Sequence, residues 1–139
     1  MLVVDTSAVL AALVGRPPDR RLLARLGDDG DLHAPYLLDV ELLHVLRRLV
    51  ATGRLTEDRA ADARVDFADL VIVRYPHLPL ADRSWALRHN LSAYDGAFVA
   101  LSEALDIPLV TCDARLAAAP GNNAQIELFT AGPATPPGA

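Results

Sequence analysis

The stretch LVVDTSA at residues 2–8 decides how the rest of the chain is interpreted. Its three apolar residues end at Asp5, which predicts a short buried strand with an acid directly after it. Residues 6–14 are predicted to form a helix, which the Arg-Pro-Pro sequence at 16–18 breaks. The sequence therefore predicts a strand followed by a helix, with Asp5 at their junction.

The same alternation of short apolar runs and helical segments continues to residue 129. Helices are predicted over residues 19–26, 35–51, 57–69, 80–89 and 92–106, with a short helix from Ala114. Further strands are predicted over residues 32–34, 71–73, 108–111 and 126–129. Such alternation predicts an α/β fold, in which helices cover both faces of a parallel sheet and ligands bind beyond the carboxyl ends of the strands.

Composition limits the class of protein. The 139 residues fit one domain, and a hydrophobic fraction of 52% supplies a core. Because residues 131–139 contain only Ala, Gly, Pro and Thr, we predict a domain over residues 1–130 and a disordered tail. The apolar start lacks a positive segment, no stretch is long enough to span a bilayer, and one cysteine needs no oxidising compartment. We therefore expect a soluble cytoplasmic protein.

The charged residues exclude several functions. All 13 basic residues are arginine, and with 18 acidic residues they give a net charge of -5, which argues against a broad basic surface that coats nucleic acid. Without lysine, the chain cannot be a P-loop NTPase or a Schiff-base enzyme. Phosphoacceptor regulators and haloacid-dehalogenase-type phosphatases also use a lysine. The Gly-x-Gly-x-x-Gly fingerprint of dinucleotide binding is missing as well.

Four acids stand where this fold places its chemistry. Asp5 and Asp113 each follow a predicted strand, Glu41 lies in an otherwise apolar helix, and Asp95 lies near the start of another. Two carboxylates about 5 Å apart repel by roughly 3 kcal/mol at an effective dielectric near 20, so a cluster of four requires bound protons or a cation. Oxygen ligands suit Mg²⁺ or Mn²⁺ rather than zinc. A bound metal would also let an acidic pocket accept phosphate.

Each acid also has a purely structural explanation. Asp5 and Asp113 are placed to cap the helices that follow them, and the sequence SAYD at residues 92–95 matches a capping box. Glu41 could face solvent or pair with Arg48 on the same face of its helix. Both kinds of explanation stay open at this point, because the sequence alone does not show whether the four side chains converge.

Four motifs resemble those of PIN-domain nucleases, in the same order along the chain. They are LVVDTSA at residues 2–8, Glu41 within an apolar helix, LSAYDGAFVAL at 91–101 and PLVTCDARL at 108–116. Their order and spacing, together with the chain length, resemble the VapC-type toxins of bacterial toxin–antitoxin pairs over about residues 1–130.

This resemblance implies a PIN-like three-layer sandwich with a short twisted parallel sheet, and endonucleolytic hydrolysis of structured RNA with Mg²⁺ or Mn²⁺. It makes the four acids both catalytic residues and metal ligands, with Ser7 and Thr111 as supporting hydroxyls. It also implies homodimers and inhibition by a VapB-type antitoxin. Some relatives carry a further acid after the last motif, where this chain has Arg115 and Leu116, so a second metal is in doubt.

Several arginines are candidates for contacts with RNA phosphates. Arg16 follows the first helix, Arg47 and Arg48 end the helix that carries Glu41, and Arg115 follows the last acid. Solvated helix faces and favourable interactions with helix C-termini are the simpler explanation for most of them.

The remaining notable side chains are expected to be structural. We predict that Trp85 and Phe98 lie in the core, that Tyr94 packs rather than stacks on a base, and that Cys112 is a small buried filler. The four histidines have no metal-ligand spacing. Two other functions stay compatible with the sequence, a DNA-directed nuclease and a PIN-like module that assembles without cutting. Apolar surface over residues 37–50 is a candidate for contact with an antitoxin or a second copy.

Overall fold

A computed structural model describes residues 1–28 and 30–130, which form five strands and seven helices. The strands are β1 (Leu2–Val4), β2 (Leu32–Pro35), β3 (Ile72–Tyr75), β4 (Leu109–Thr111) and β5 (Ile126–Leu128). The helices are α1 (Thr6–Val14), α2 (Arg20–Asp28), α3 (Leu37–Ala51), α4 (Glu57–Asp69), α5 (Ala81–Ala86), α6 (Ala93–Leu105) and α7 (Ala114–Ala118). A 3₁₀ turn at Leu78–Leu80 leads into α5.

The five strands form one parallel sheet in the order β3-β2-β1-β4-β5. Strand β1 is central and all three of its residues are buried, with Val3 opposite His33 on β2 and Leu109 on β4. Strands β2 and β3 follow β1 on one side of it, and β4 and β5 lie on its other side, so the direction of strand addition reverses between β3 and β4. In such sheets the carboxyl ends of the two strands at this reversal flank a ligand crevice. Asp5 and Asp113 lie at this point.

Helices cover both faces of the sheet, as predicted for a three-layer sandwich. Helix α6 packs against β1, β2 and β4 and is buried from Gly96 to Ser102. Helix α1 packs against β4 and also contacts α2, α3 and α4. The predicted core residue Phe98 is buried among the aliphatic side chains of the sheet. The α/β class and its layers are therefore confirmed.

Several element boundaries differ from the predicted ones, most clearly at the junction of β2 and α3, in β3 and in α5. Pro35 ends β2 instead of opening α3, because the next residue, Tyr36, donates its N–H to Tyr75 O across the sheet. Strand β3 extends to Tyr75 for the same reason. The helix predicted over 80–89 contains only the six residues of α5. After Ala86 the backbone N–H groups bond three residues back, a tighter pattern that ends an α-helix.

Trp85 is 68% exposed, so its predicted place in the core is wrong. The short helix α5 presents Ser84, not Trp85, to α6, and Gly96 permits this close approach. A Cβ at Gly96 would lie 2.6 Å from Ser84 Oγ. Tyr94 is also exposed, at 60%, which contradicts the predicted packing of its ring.

The predicted tail, residues 131–139, lies outside the described residues, so its disorder stays a prediction. Within the described residues, no helix combines the length and the hydropathy that a membrane crossing would need.

Candidate active site

Asp5 is the most buried of the four acids, with 5% of its surface exposed. It caps α1, and its Oδ1 accepts hydrogen bonds from the Ala8 N–H at 2.9 Å and from the Ser7 hydroxyl at 2.7 Å. The Thr111 hydroxyl donates to Oδ2. These three donors favour the ionised form, but burial outweighs them and raises the pKa of Asp5 above its ordinary value. Asp5 therefore caps α1, as its structural explanation requires, and this role is compatible with a further role among the four acids.

Ser7 and Thr111 join the ends of β1 and β4 through this carboxylate. Each hydroxyl also accepts a backbone hydrogen bond, Ser7 Oγ from Cys112 N–H at 2.9 Å and Thr111 Oγ1 from Asp113 N–H at 3.0 Å. The two hydroxyl oxygens lie 3.2 Å apart. Because each hydroxyl donates its proton to Asp5, neither proton is left to form a hydrogen bond between the two oxygens. Both predicted supporting residues thus contact the first acid.

Glu41 lies in the second turn of α3 and is half-buried. The Thr6 hydroxyl, on the first residue of α1, donates to Glu41 Oε1 at 2.8 Å. The pKa of Glu41 is raised, mainly by burial and further by the charges of Asp95 and Asp5, while the Thr6 hydrogen bond and the charge of His44 oppose the rise. Glu41 therefore faces the other acids, and its partner is Thr6 rather than Arg48.

Asp95 lies in the first turn of α6 and is half-buried. Ser92 caps this helix by accepting the Asp95 backbone N–H at 3.1 Å, so this part of the capping-box pattern is confirmed. Burial raises the pKa of Asp95 most, and the charge of Asp113 raises it further, while Ser92 and the charge of Arg115 lower it.

Asp113 follows β4 and caps α7, accepting the Arg115 N–H at 2.9 Å and the Leu116 N–H at 3.4 Å on Oδ1. Its structural role is therefore confirmed, as it was for Asp5. The Arg115 side chain is 95% exposed and its Nε lies 4.0 Å from Asp113 Oδ1. Such an exposed pair contributes little to stability.

The four acids form one electrostatic group, although they come from four separate elements. Asp95 links the group. Its charge raises the pKa of both Asp5 and Glu41, and the charge of Asp113 raises the pKa of Asp95. Among the described residues, no three His, Cys, Asp or Glu side chains stand close enough to hold a metal ion together. The carboxylates are gathered at the carboxyl edge of the sheet without forming a closed ligand shell.

The chemistry of this group fits a hard divalent cation. All four candidate ligands are carboxylates, the preferred ligands of Mg²⁺ and Mn²⁺. Burial and mutual repulsion disfavour the ionised forms of Asp5, Glu41 and Asp95, a cost that a nearby cation would offset.

The predicted phosphate-contacting arginines are all exposed, but only Arg115 is near the acids. Arg47 and Arg48 follow Glu41 by six and seven residues on α3, roughly 9–10 Å along the helix axis. Arg16 lies beyond the C-terminus of α1, where it lines a cavity with Arg59 that contains none of the four acids. The structure thus separates Arg115 from the other three candidates.

Thr6 is the site residue that sequence reasoning missed. Its place beside Asp5 in the first motif was the available signal, but its contact with Glu41 depends on how α1 and α3 cross. Cys112 packs against the core but is half-buried rather than fully buried as predicted, and burial and the charge of Asp5 raise the pKa of its thiol to about 11. It therefore stays protonated and weakly nucleophilic at neutral pH.

Comparison with known proteins places the chain in a family. Residues 2–122 match the family described as PIN domain. Ribonuclease VapC1 of Mycobacterium tuberculosis is 45% identical over 127 residues, which cover 91% of this chain and 96% of that protein. Ribonuclease VapC12 of the same organism is 37% identical over 128 residues, covering 92% and 98%.

Solved structures support the fold. VapC20 of Mycobacterium tuberculosis, described as a sarcin-ricin loop cleaving toxin, superposes with a TM-score of 0.62 at 19% identity and covers 85% of this chain and 94% of its own. A chain of VapBC2 from Rickettsia felis, solved bound to promoter DNA, has a TM-score of 0.67 at 13% identity, covering 92% and 98%. The family match and the two ribonucleases carry the assignment: this chain belongs to the PIN-domain family, among the VapC ribonucleases.

Proposed function

We propose that this chain is a Mg²⁺- or Mn²⁺-dependent endoribonuclease, the toxin of a VapBC-type toxin–antitoxin pair, which hydrolyses phosphodiester bonds of structured RNA. The observation that carries this proposal is that Asp5, Glu41, Asp95 and Asp113, from four elements, lie near enough to one another for their charges to raise the pKa of Asp5, Glu41 and Asp95. Relatives named as VapC ribonucleases, one of them at 45% identity, support the substrate class.

In this proposal the oxygen ligands of the cation would come from among Asp5, Glu41, Asp95 and Asp113, and a carboxylate that does not bind the cation would act on the attacking water. The chemistry supplied at these carboxylates by such a cation would be polarisation of a phosphate and a lower pKa for a bound water. Ser7 holds Asp5 in place by its hydrogen bond, as Thr6 holds Glu41. These hydroxyls fix the orientation of the carboxylates before substrate arrives, which reduces the cost of ordering them during the reaction.

Asp95 is the better candidate for accepting a proton from water. Two backbone N–H groups already bind Oδ1 of the Asp113 carboxylate, so this oxygen is occupied in capping α7. The pKa of Asp95 is raised by burial and by the charge of Asp113, and a raised pKa brings a carboxylate closer to the range useful for general-base catalysis at neutral pH.

The test is cleavage of a pool of structured RNAs by the purified chain with Mg²⁺ or Mn²⁺, compared with EDTA. Asp95→Asn is the informative variant, because Ser92 caps α6 through the backbone N–H of residue 95 and that hydrogen bond is retained. Asp66→Asn, on an exposed part of α4, removes the same charge elsewhere and serves as the control.

We expect cuts at defined positions with metal, none with EDTA or Asp95→Asn, and full activity in Asp66→Asn. Cleavage of DNA but not RNA would replace the substrate in the proposal. If added Mg²⁺ or Mn²⁺ neither stabilises the fold nor supports cutting, the chain is a non-catalytic PIN-like module, because a cation that binds the folded state must stabilise it.

A VapB-type antitoxin and a second copy of the chain are the proposed protein partners. Support comes from the exposed Val40 and Leu43 on the outer face of α3, within the apolar surface singled out from the sequence. VapBC2 of Rickettsia felis is described as a complex of this kind. Expression of the chain alone should arrest bacterial growth, and co-expression of its antitoxin should restore growth. Arrest by Asp95→Asn to the same extent would contradict a nuclease toxin.

A further inference from the structure

A cavity beside the acid group is bordered by two exposed aromatic rings. It has a volume of about 560 Å³, within the range of small-molecule binding pockets, and is open to solvent. Trp85 on α5 and Tyr94 at the start of α6 border it, and Leu37 from the first turn of α3 forms part of its wall. Exposed tryptophan and tyrosine rings around a concavity are costly to leave in water and point to a ligand.

The cavity adjoins the proposed catalytic group through two helices. Tyr94 directly precedes Asp95 in the first turn of α6. Leu37 lies four residues before Glu41 on α3, so the two side chains share a face of that helix, one turn apart. An occupant of the cavity would therefore lie next to any phosphate held at the acids.

The lining combines aromatic surface with one available cation. The Arg88 guanidinium stands over the Trp85 ring, 4.6 Å from its centre, and Arg88 donates one hydrogen bond to Trp85 O. Within the described chain, Arg88 has no carboxylate partner. Two polar side chains in the wall are already engaged, since Ser84 donates to Ala93 O and His77 accepts the Leu37 N–H. The cavity thus offers ring stacking and a positive charge more than hydrogen-bond reading of a base.

We propose that this cavity binds an unpaired nucleobase of the RNA substrate, stacked against Trp85 or Tyr94, while Arg88 contacts a neighbouring phosphate. The proposal rests on the proposed ribonuclease function and adds the part of the site that holds a nucleotide next to the cut. Stacking on aromatic rings is tolerant of base identity because every base has a π-face. The subsite therefore selects unpaired nucleotides over paired ones, rather than one base over another.

The chain contains one tryptophan, so its intrinsic fluorescence reports on this cavity alone. The first experiment titrates the full chain with a short unpaired RNA of mixed sequence in EDTA, which prevents metal-dependent cutting. We expect the RNA to quench and shift Trp85 emission, and a ribose-phosphate oligomer without bases to leave it unchanged. Equal responses to both oligomers, or none to either, would overturn base binding.

The second experiment measures cleavage and RNA affinity of variants. Trp85→Ala should weaken affinity by about fivefold or more, the loss of one stacked base, whereas Trp85→Phe should retain most of it. Val65→Ala removes an exposed apolar side chain from α4 and should change nothing. If the unaltered chain cuts RNA and Trp85→Ala binds and cuts equally well, the subsite fails while the nuclease stands.

A second copy of this chain is the competing occupant of the same surface. Sedimentation of the unaltered chain and of Trp85→Ala separates the two cases. If Trp85→Ala dissociates an oligomer and leaves the affinity for RNA unchanged, the surface is an interface between copies and the base subsite is overturned. An unchanged oligomeric state together with weakened RNA binding supports the subsite.

Discussion

Replacing Thr111 by valine tests whether the hydroxyl network holds the site together. Valine preserves the shape of this fully buried side chain but removes its hydroxyl. Two hydrogen bonds are lost, one donated to the Asp5 carboxylate and one accepted from Asp113 N–H. A hydrogen bond to a charged acceptor contributes about 1.5–3 kcal/mol, and an unpaired buried N–H costs about 1 kcal/mol or more. We expect a loss of about 3 kcal/mol in the free energy of unfolding.

Thr111→Ser is the matched control, because it keeps the hydroxyl and removes one buried methyl group, at a cost of about 1 kcal/mol. Urea denaturation of both variants, followed by circular dichroism without metal at neutral pH, measures the difference. The valine variant should be the less stable by about 2 kcal/mol. Equal stability of the two, or a valine variant as stable as the unaltered chain, would refute the importance assigned to the hydroxyl.

Three further predictions follow from neighbouring contacts. Thr6→Val should leave the fold intact but lower cleavage and metal affinity, because Glu41 loses the donor that fixes it; unchanged metal affinity by calorimetry would contradict this. Gly96→Ala should cost about 1–3 kcal/mol, seen as a lower thermal midpoint, since its Cβ would meet Ser84 Oγ. Finally, burial raises the pKa of Asp5 and Glu41, so the folded chain binds more protons than the unfolded chain above about pH 4. Their contribution to the stability of the metal-free protein is complete below about pH 4 and is lost as pH rises through the raised pKa values. Denaturation in EDTA across this range should show stability falling with pH, and a rise would count against the sign.

The sequence predicts the centre of the sheet well because the three inner strands β1, β2 and β4 are buried. The runs Leu2–Val4 and Leu109–Thr111 contain only apolar or β-branched residues, and an acid stands one position after the first run and two positions after the second, so both the strand and its end are visible locally. The positions of Asp5 and Asp113 at the sheet edge follow directly from those ends. Their capping roles follow too, since a carboxylate before a helix accepts its first N–H groups.

Other features depend on contacts between distant parts of the chain. The hydrogen bond from Thr6 to Glu41 spans 35 positions and exists only because α1 and α3 cross there. The exposure of Trp85 was missed because its segment has a helical pattern longer than the actual helix, and its outward face is set by Gly96 on α6. Both features depend on residues far apart in the sequence, whereas hydrophobic periodicity is read from a short continuous segment.

Strand β1 pairs with two strands that are far apart in the sequence, β2, which begins at Leu32, and β4, which begins at Leu109. A fragment released by interrupted translation or by proteolysis before β4 would leave β1 with an open hydrogen-bonding edge and Asp5 without its Thr111 partner. Such an edge favours aggregation over folding. A nascent chain of this protein would therefore carry no assembled site until β4 has left the ribosome, so the proposed nuclease would stay inert during most of its own synthesis.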